Sequence, residues 1–204
     1  MIVILDYGMG NVGSILNMFK KIGVQANLAY DHKEIELADK IVLPGVGAFD
    51  AGMKALQRYN LVEILKCQVV EKKKPLLGIC LGMQMLGRKS EEGALPGLGF
   101  IPFDNIRFSF LPELKLKIPH MGWNQIKIMK ETALTKSLPN NERYYFVHSY
   151  HAKCDNSDNI LMTCDYGYEF TASVFYENIF GVQFHPEKSH LFGMRILKNF
   201  VEGC

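Results

Sequence analysis

Apolar and polar positions along the chain fall into two regimes. In the first, Ile2–Leu5 is a short, wholly apolar run that ends in Asp-Tyr-Gly. A run without alternation predicts a strand buried on both faces. After Gly8-Met9-Gly10-Asn11, residues Ile15, Leu16, Met18, Phe19 and Ile22 recur at helical spacing, and Gly23 closes that helix. Val24–Ala29 predicts a second strand, and Asp31 is placed to cap a short helix running through Leu37. Ile41–Leu43 predicts a third buried strand, ending in Pro44-Gly45-Val46-Gly47. A helical stretch follows from about Phe49 to Lys72, and Pro75–Ile79 predicts a fourth strand that runs directly into Cys80. Strand, loop and helix in repetition predict an α/β fold. Its core is a doubly wound, mostly parallel central sheet with flanking helices. Ligands of such sheets bind beyond the carboxyl ends of the strands. Asp6–Asn11, Pro44–Gly47 and Gly78–Gly82 all lie at such ends.

The second regime runs from Gly99 to Phe184. Its segments are short, rich in β-branched and aromatic residues, and separated by turn signals such as Pro139-Asn140-Asn141 and Asp155-Asn156-Ser157. This predicts a C-terminal antiparallel portion, with strands near 105–108, 123–129, 144–149, 160–164, 171–176 and 179–184. An amphipathic helix is expected from Ser189 to about Val201. With no internal repeat, low-complexity tract or long linker, one domain over residues 1–204 is expected.

Composition narrows the function. The 204 residues are 48% hydrophobic and 22% charged, enough for a full core. Twenty-three basic against 21 acidic residues leave a net charge of +2. So small an excess predicts neither a nucleic-acid nor a membrane partner. The N-terminus has no positive n-region or small-residue cleavage site, and no apolar run reaches the ~20 residues of a membrane span, so a cytoplasmic protein is expected. The five cysteines (67, 80, 154, 164 and 204) are odd in number and include no C-x-x-C pair. That argues for free thiols, without a disulfide framework or a metal site.

Gly78-Ile79-Cys80-Leu81-Gly82 has the form G-x-C-x-G between an apolar strand and a helix. This is the cysteine version of a nucleophile elbow. Its glycines let the chain turn sharply and keep side chains off the thiol. The helix start favours thiolate, and the Leu81 N–H is placed to donate to an oxyanion. By itself the pentapeptide also suits a buried structural cysteine; the strand before it and the helix after it favour the nucleophile. Among six histidines, only His185 ends an apolar strand with a carboxylate two residues on, in Gln183-Phe184-His185-Pro186-Glu187. In extended backbone, residues i and i+2 point the same way, so Glu187 can fix the imidazole tautomer while His185 serves Cys80 as acid and base.

Gly78–Gln84 together with Gln183–Glu187 resembles the triad, or class I, glutamine amidotransferases. More narrowly, the chain is similar to the glutaminase subunits of imidazole glycerol phosphate synthases. The stretches that carry this resemblance are Asp6–Asn11, Pro44–Gly47, Gly78–Gln84, Pro119–Asn124, Tyr145–Tyr150 and Gln183–Ser189, which run nearly end to end. The resemblance implies hydrolysis of L-glutamine to glutamate and ammonia, with no cofactor. Cys80 would form a glutamyl thioester, His185 would shuttle protons and Glu187 would orient it. Gln84, Gly47 and the backbone of His148-Ser149-Tyr150 would line the glutamine pocket. Val46 and Leu81 would supply the oxyanion hole, its Gly45–Val46 peptide turning to present an N–H. Asn11, Met121, Trp123 and Lys188 would face a (β/α)8 cyclase, forming a heterodimer through which ammonia is channelled. Each position also has a plainer reading: Gln84 as a solvated helix residue, Pro44–Gly47 as a tight turn, Tyr145–Tyr150 as β-core and Trp123 as a core residue.

Ile101-Pro102-Phe103-Asp104 departs from the Ile-Pro-Gly expected of that subfamily. Ser189-His190-Leu191-Phe192-Gly193 and the helix Asn17-Met18-Phe19-Lys20-Lys21 resemble paralogues that feed ammonia to a sugar-modifying synthetase of surface polysaccharide. The chemistry would be the same and the recipient different.

Overall fold

The structure is a computed structural model that describes residues 1–204. Its first strands are β1 (Ile2–Leu5), β2 (Ala26–Ala29), β3 (Lys40–Leu43) and β4 (Leu76–Ile79). They alternate with helices α1 (Val12–Lys21), α2 (His32–Leu37), α3 (Phe49–Arg58) and α4 (Leu61–Leu65), the last continuing as a π-helical turn, Lys66–Glu71. Helix α5 (Leu81–Met85) follows β4 directly. The remaining strands are β5 (Lys89–Ser90), β6 (Phe103–Arg107), β7 (His120–Ile128), β8 (Arg143–His148), β9 (Tyr150–Cys154), β10 (Ile160–Asp165), β11 (Glu169–Tyr176) and β12 (Ile179–Val182). Helix α6 (His190–Gly203) closes the chain.

All twelve strands belong to one sheet, whose main path runs β2-β1-β3-β4-β12-β11-β10-β7-β8. β2, β1, β3, β4 and β12 are mutually parallel, and from β11 onward the pairing along the path is antiparallel. The parallel strands are buried as the unbroken apolar runs require. Ile2 and Ile4 face one core with Ile15, Phe19 and Phe200, whereas Val3 and Leu5 face the other with Ile35, Phe49 and Leu56. Helices α1 and α6 therefore cover one face, and α2, α3, α4 and α5 the opposite one.

Local signals operate at the helix ends. Asp31 and Glu34 form a reciprocal capping box on α2, typically worth about 1 kcal/mol. The expected single helix from Phe49 to Lys72 is broken. Asn60 adopts a left-handed conformation (φ 56°, ψ 31°), which ends α3 and restarts the chain as α4. Asparagine tolerates that region because its short side chain adds little steric cost. The break lets Leu61, Ile64 and Leu65 turn inward.

Three other expectations are corrected. The strand expected at 179–184 ends at Val182 and, besides its hairpin with β11, lies parallel to β4, with Ile179 opposite Leu76 and Val182 opposite Ile79. The run expected at 144–149 is β8, and a separate strand, β9, starts at Tyr150 after a break at Ser149. The second strand begins at Ala26 rather than Val24, because Val24 still bonds back to Phe19 at the end of α1.

Gly82 explains how β4 can turn straight into α5. A Cβ built there would lie 1.9 Å from the carbonyl oxygen of Leu43 on β3. No side-chain rotation relieves a clash with backbone. Gly82→Ala should therefore destabilise the protein by roughly 3 kcal/mol, the upper end of typical overpacking costs. The shift of the chemical-denaturation midpoint at unchanged slope measures it, and an unshifted midpoint would contradict this packing.

Candidate active site

Strands β3, β4 and β12 are neighbours, so their carboxyl ends converge. Cys80 follows β4 with φ 55° and ψ −110°, a sparsely populated conformation for a residue with a side chain. It is held from both sides. Its N–H donates to Val182 O of β12 at 2.8 Å, and its carbonyl accepts from Gln84 N–H of α5 at 3.1 Å.

His185 lies three residues beyond β12. Its N–H donates to Tyr145 O at 2.9 Å. The Ser189 hydroxyl donates to His185 O at 2.7 Å and accepts from Tyr145 N–H at 3.0 Å, which clamps this turn to β8. The imidazole Nδ1 meets Glu187 Oε1 at 2.7 Å, with both side chains almost wholly buried. Because a carboxylate only accepts, Nδ1 carries the proton. The opposite nitrogen, Nε2, is buried without a regular hydrogen bond and faces the Cys80 thiol. Burial pulls the His185 pKa down, but hydrogen bonds and charge from Cys80 and Glu187 outweigh it and hold the pKa up at about 10.

A cleft of about 690 Å³ opens over these groups. Cys80, His185, Leu81, Gln84, Val46, Gly47, His148, Ser149 and Tyr150 all line it, as do Asn11 and Lys188. Glu187 stands behind His185, outside the lining. Met121 and Trp123 also lie outside it, 62% and 38% exposed, so Trp123 is not a core residue. Instead it stacks on His190, with ring centroids 5.6 Å apart. Gln84 is not a solvated helix residue either. It is buried, and its Nε2 donates to Tyr150 O and to Gln183 Oε1, both at 3.1 Å.

Leu81 N–H, the expected oxyanion donor, is engaged. It donates to Gly45 O at 3.3 Å. The Gly45–Val46 peptide thus presents its carbonyl to the site, so that Val46 N–H points away. Behind it, the buried Tyr7 hydroxyl donates to Pro44 O at 2.5 Å.

Two groups at the site are beyond the sequence reasoning. Glu92 is the one carboxylate that lines the cleft, and its Oε2 also accepts from Phe49 N–H at the start of α3. It lies in the turn after β5, which that bond and one from its own N–H to Ser90 Oγ hold against the start of α3. Gln183 is fully buried, with Nε2 3.8 Å from Cys80 Sγ; its place between β12 and His185 was the available signal. No group of three or more His, Cys, Asp or Glu side chains could hold a metal ion. No helix is long and apolar enough to cross a membrane.

The family model for "Glutamine amidotransferase class-I" matches residues 3–204. This chain belongs to the class-I glutamine amidotransferases. Among relatives of this amidotransferase, the imidazole glycerol phosphate synthase subunit HisH 2 of Pseudomonas aeruginosa is 52% identical, and that of Methanococcus maripaludis 54% identical, each over 99% of both chains. The HisH subunit of Bdellovibrio bacteriovorus is 47% identical over 99% of this chain and all of its own length. A solved glutamine amidotransferase superposes with TM-score 0.76 at 17% identity, covering 99% of this chain and 98% of its own. A chain of PurLQS from Thermotoga maritima gives TM-score 0.74 at 18% identity, covering 98% and 96%. At those identities the two structures speak for the fold, an α/β sheet with flanking helices.

The His185 pKa yields a direct measurement. Replacing Glu187 with Gln removes one of the groups that raise it. In an NMR titration of the imidazole, the wild-type midpoint should lie near 10 and that of Glu187→Gln clearly lower. Because the folded value is raised, its contribution to stability is full below the ordinary imidazole pKa of 6.5 and is lost as pH rises through about 10. An unchanged midpoint would mean that Glu187 does not charge-couple to the ring.

Proposed function

We propose that this chain is the glutaminase subunit of an imidazole glycerol phosphate synthase, supplying ammonia to a (β/α)8 cyclase in histidine biosynthesis. The observation that carries this reading is identity of 52% and 54% to HisH subunits over 99% of both lengths. It favours the cyclase over a sugar-modifying synthetase as recipient. A cytoplasmic heterodimer follows from the same reading.

The geometry supports the following chemistry. L-Glutamine enters the cleft with its side-chain carboxamide at Cys80 and its ammonium toward Glu92. Cys80 Sγ attacks the carboxamide carbon, and the C–N bond breaks as protonated His185 gives its Nε2 proton to the leaving nitrogen, releasing ammonia. His185, now neutral, takes a proton from water, whose hydroxide attacks the thioester. The C–S bond breaks, and glutamate leaves. Glu187 holds the ring in one tautomer through both steps.

The oxyanion formed in each step needs N–H donors. Turning the Gly45–Val46 peptide would withdraw the Gly45 carbonyl, free Leu81 N–H and bring Val46 N–H inward. One such donor is typically worth about 10²–10³ in rate, so a chain resting with the carbonyl inward hydrolyses glutamine slowly. Asn11 and Lys188 at the cleft rim, with exposed Met121 and Trp123 beside it, form the surface on which a cyclase would dock.

The test is glutamine hydrolysis by the chain alone, then with the cyclase and its ribonucleotide ligand. Strong stimulation is expected. Cys80→Ala should abolish glutamine-dependent product formation by the complex while leaving ammonia-dependent formation intact. No stimulation by the cyclase would overturn the assigned recipient. Glutamine turnover by Cys80→Ala equal to wild type would overturn the mechanism.

A further inference from the structure

Of the three buried histidines outside the triad, two form a pair with no part in the reaction as written. His120 on β7 and His148 on β8 stand directly opposite each other across the antiparallel pair. His120 Nδ1 lies 3.1 Å from His148 Nε2, and His148 Nδ1 lies 2.8 Å from Tyr150 O. On the outer side, Asn124 Nδ2 lies 3.4 Å from His120 Nε2 and donates to Asp165 O at 2.7 Å. The His120 ring is stacked between Tyr166 and Phe146, with centroids 4.1 and 4.9 Å away.

The direction of every bond in this chain follows from one backbone oxygen. The Tyr150 carbonyl only accepts, so His148 carries its proton on Nδ1 and offers a bare Nε2. His120 must then donate from Nδ1 and keep Nε2 bare, which suits the Asn124 amide facing it. The same carbonyl fixes Gln84 with its nitrogen inward, where both N–H groups are used, on Tyr150 O and Gln183 Oε1. Gln84 Oε1 is left as an acceptor for the cleft. Gln183, having accepted, turns its own N–H toward Cys80 Sγ. Adding a proton to either histidine would set two donors face to face. Burial opposes it, pushing His120 down to about 4 and His148 well below its ordinary value.

We propose that His120 and His148 are positioning residues of the glutaminase site: a tautomer-locked pair that fixes the Tyr150 carbonyl and thereby aims Gln84 Oε1 into the glutamine cleft and the Gln183 amide at the Cys80 sulfur. This rests on the glutaminase reading above. His120 is also the inward neighbour of exposed Met121 on the same strand, so the network begins at the surface proposed for the cyclase.

The test uses the full chain in complex with the cyclase. His120→Leu removes the donor, and His120→Asn restores an N–H at the place of Nδ1. Losing one buried hydrogen bond to the substrate-binding network should raise KM for glutamine about tenfold in His120→Leu, with kcat within about threefold. His120→Asn should return KM most of the way. In parallel, nitrogen-resolved imidazole spectra of the wild-type complex should show both rings as Nδ1–H tautomers that do not titrate between about pH 5 and 9. An Nε2–H tautomer at either ring overturns the proposal, whatever the variants do. So does an unchanged KM in folded His120→Leu, or Asn failing where Leu fails. If His120→Leu does not fold, the spectra decide. If the wild-type complex turns over no glutamine, the glutaminase reading fails, and the spectra still judge the network.

Discussion

The turn at Cys80 is the constraint on which the rest of the structure depends. A residue with a side chain is held at φ 55° and ψ −110° between a strand and a helix, a conformation that costs on the order of 1–3 kcal/mol and persists only where the surroundings over-determine it. Here they do. β12 takes the Cys80 N–H, α5 takes its carbonyl, and β3 presses so closely on Gly82 that no Cβ fits. The same crowding explains the pairing of β12 with β4. Parallel insertion of that strand brings the bond to Cys80 N–H and carries His185 to the thiol. The fold and the candidate site are therefore one packing problem. The strands that strain Cys80 are those that deliver His185 and the Pro44–Gly47 loop after β3.

Much of this was legible in the sequence because the relevant signals are local. Unbroken apolar runs gave β1, β3 and β4, the Asp31 cap gave the start of α2, and G-x-C-x-G between a strand and a helix gave the elbow. His185 and Glu187 were legible as a pair because their relation is an i, i+2 spacing. What was hidden is what depends on distant partners. A four-residue strand such as β12 has no periodicity to say whether its second neighbour is parallel or antiparallel. The break at Asn60 depends on a single residue entering the left-handed region, which a helical apolar pattern does not reveal. Glu92 comes to the cleft because its carboxylate is bonded to Phe49 N–H at the start of α3, 43 residues away in sequence. Cys80 and His185 are 105 residues apart by their numbers, so their approach is a property of the sheet order.

Burial treats the histidines of this site in opposite ways, and the difference is partners. His185 has a carboxylate on one nitrogen and a thiol facing the other, so the charged ring is favoured despite desolvation. His120 and His148 have a neutral carbonyl, a neutral amide and each other, so desolvation outweighs the upward pull of the Tyr150 carbonyl on His148 and both remain neutral. One small region thus holds a proton carrier beside two rings suited to fixed, directional hydrogen bonding. A second charged imidazole beside His185 would repel it and lower the pKa that the proposed chemistry needs.

Under the proposed function, the loop after β3 would keep such a site quiet. With Gly45 O accepting from Leu81 N–H, the backbone donor is satisfied in the resting chain, and an inward-facing carbonyl would repel a developing oxyanion. In the proposed mechanism, turning one peptide would exchange this bond for two donors directed at the substrate. The turn needs no movement of the sheet, because Pro44 is tethered by the Tyr7 hydroxyl and only the Gly45–Val46 unit must rotate. Gly45 allows it sterically. A Cβ there would lie 2.8 Å from Gly82 N and 2.9 Å from Leu81 Cβ, so any other residue would be jammed against α5. Gly10, in the loop beside Asn11, lies against Pro44, with a Cβ there falling 3.0 Å from Pro44 Cβ. Pressure on that rim from a docked partner would bear directly on the hinge of the peptide. Under the proposed function, activity tied to assembly would then need only a small bias at one backbone unit, so that ammonia would be released where a recipient is in place.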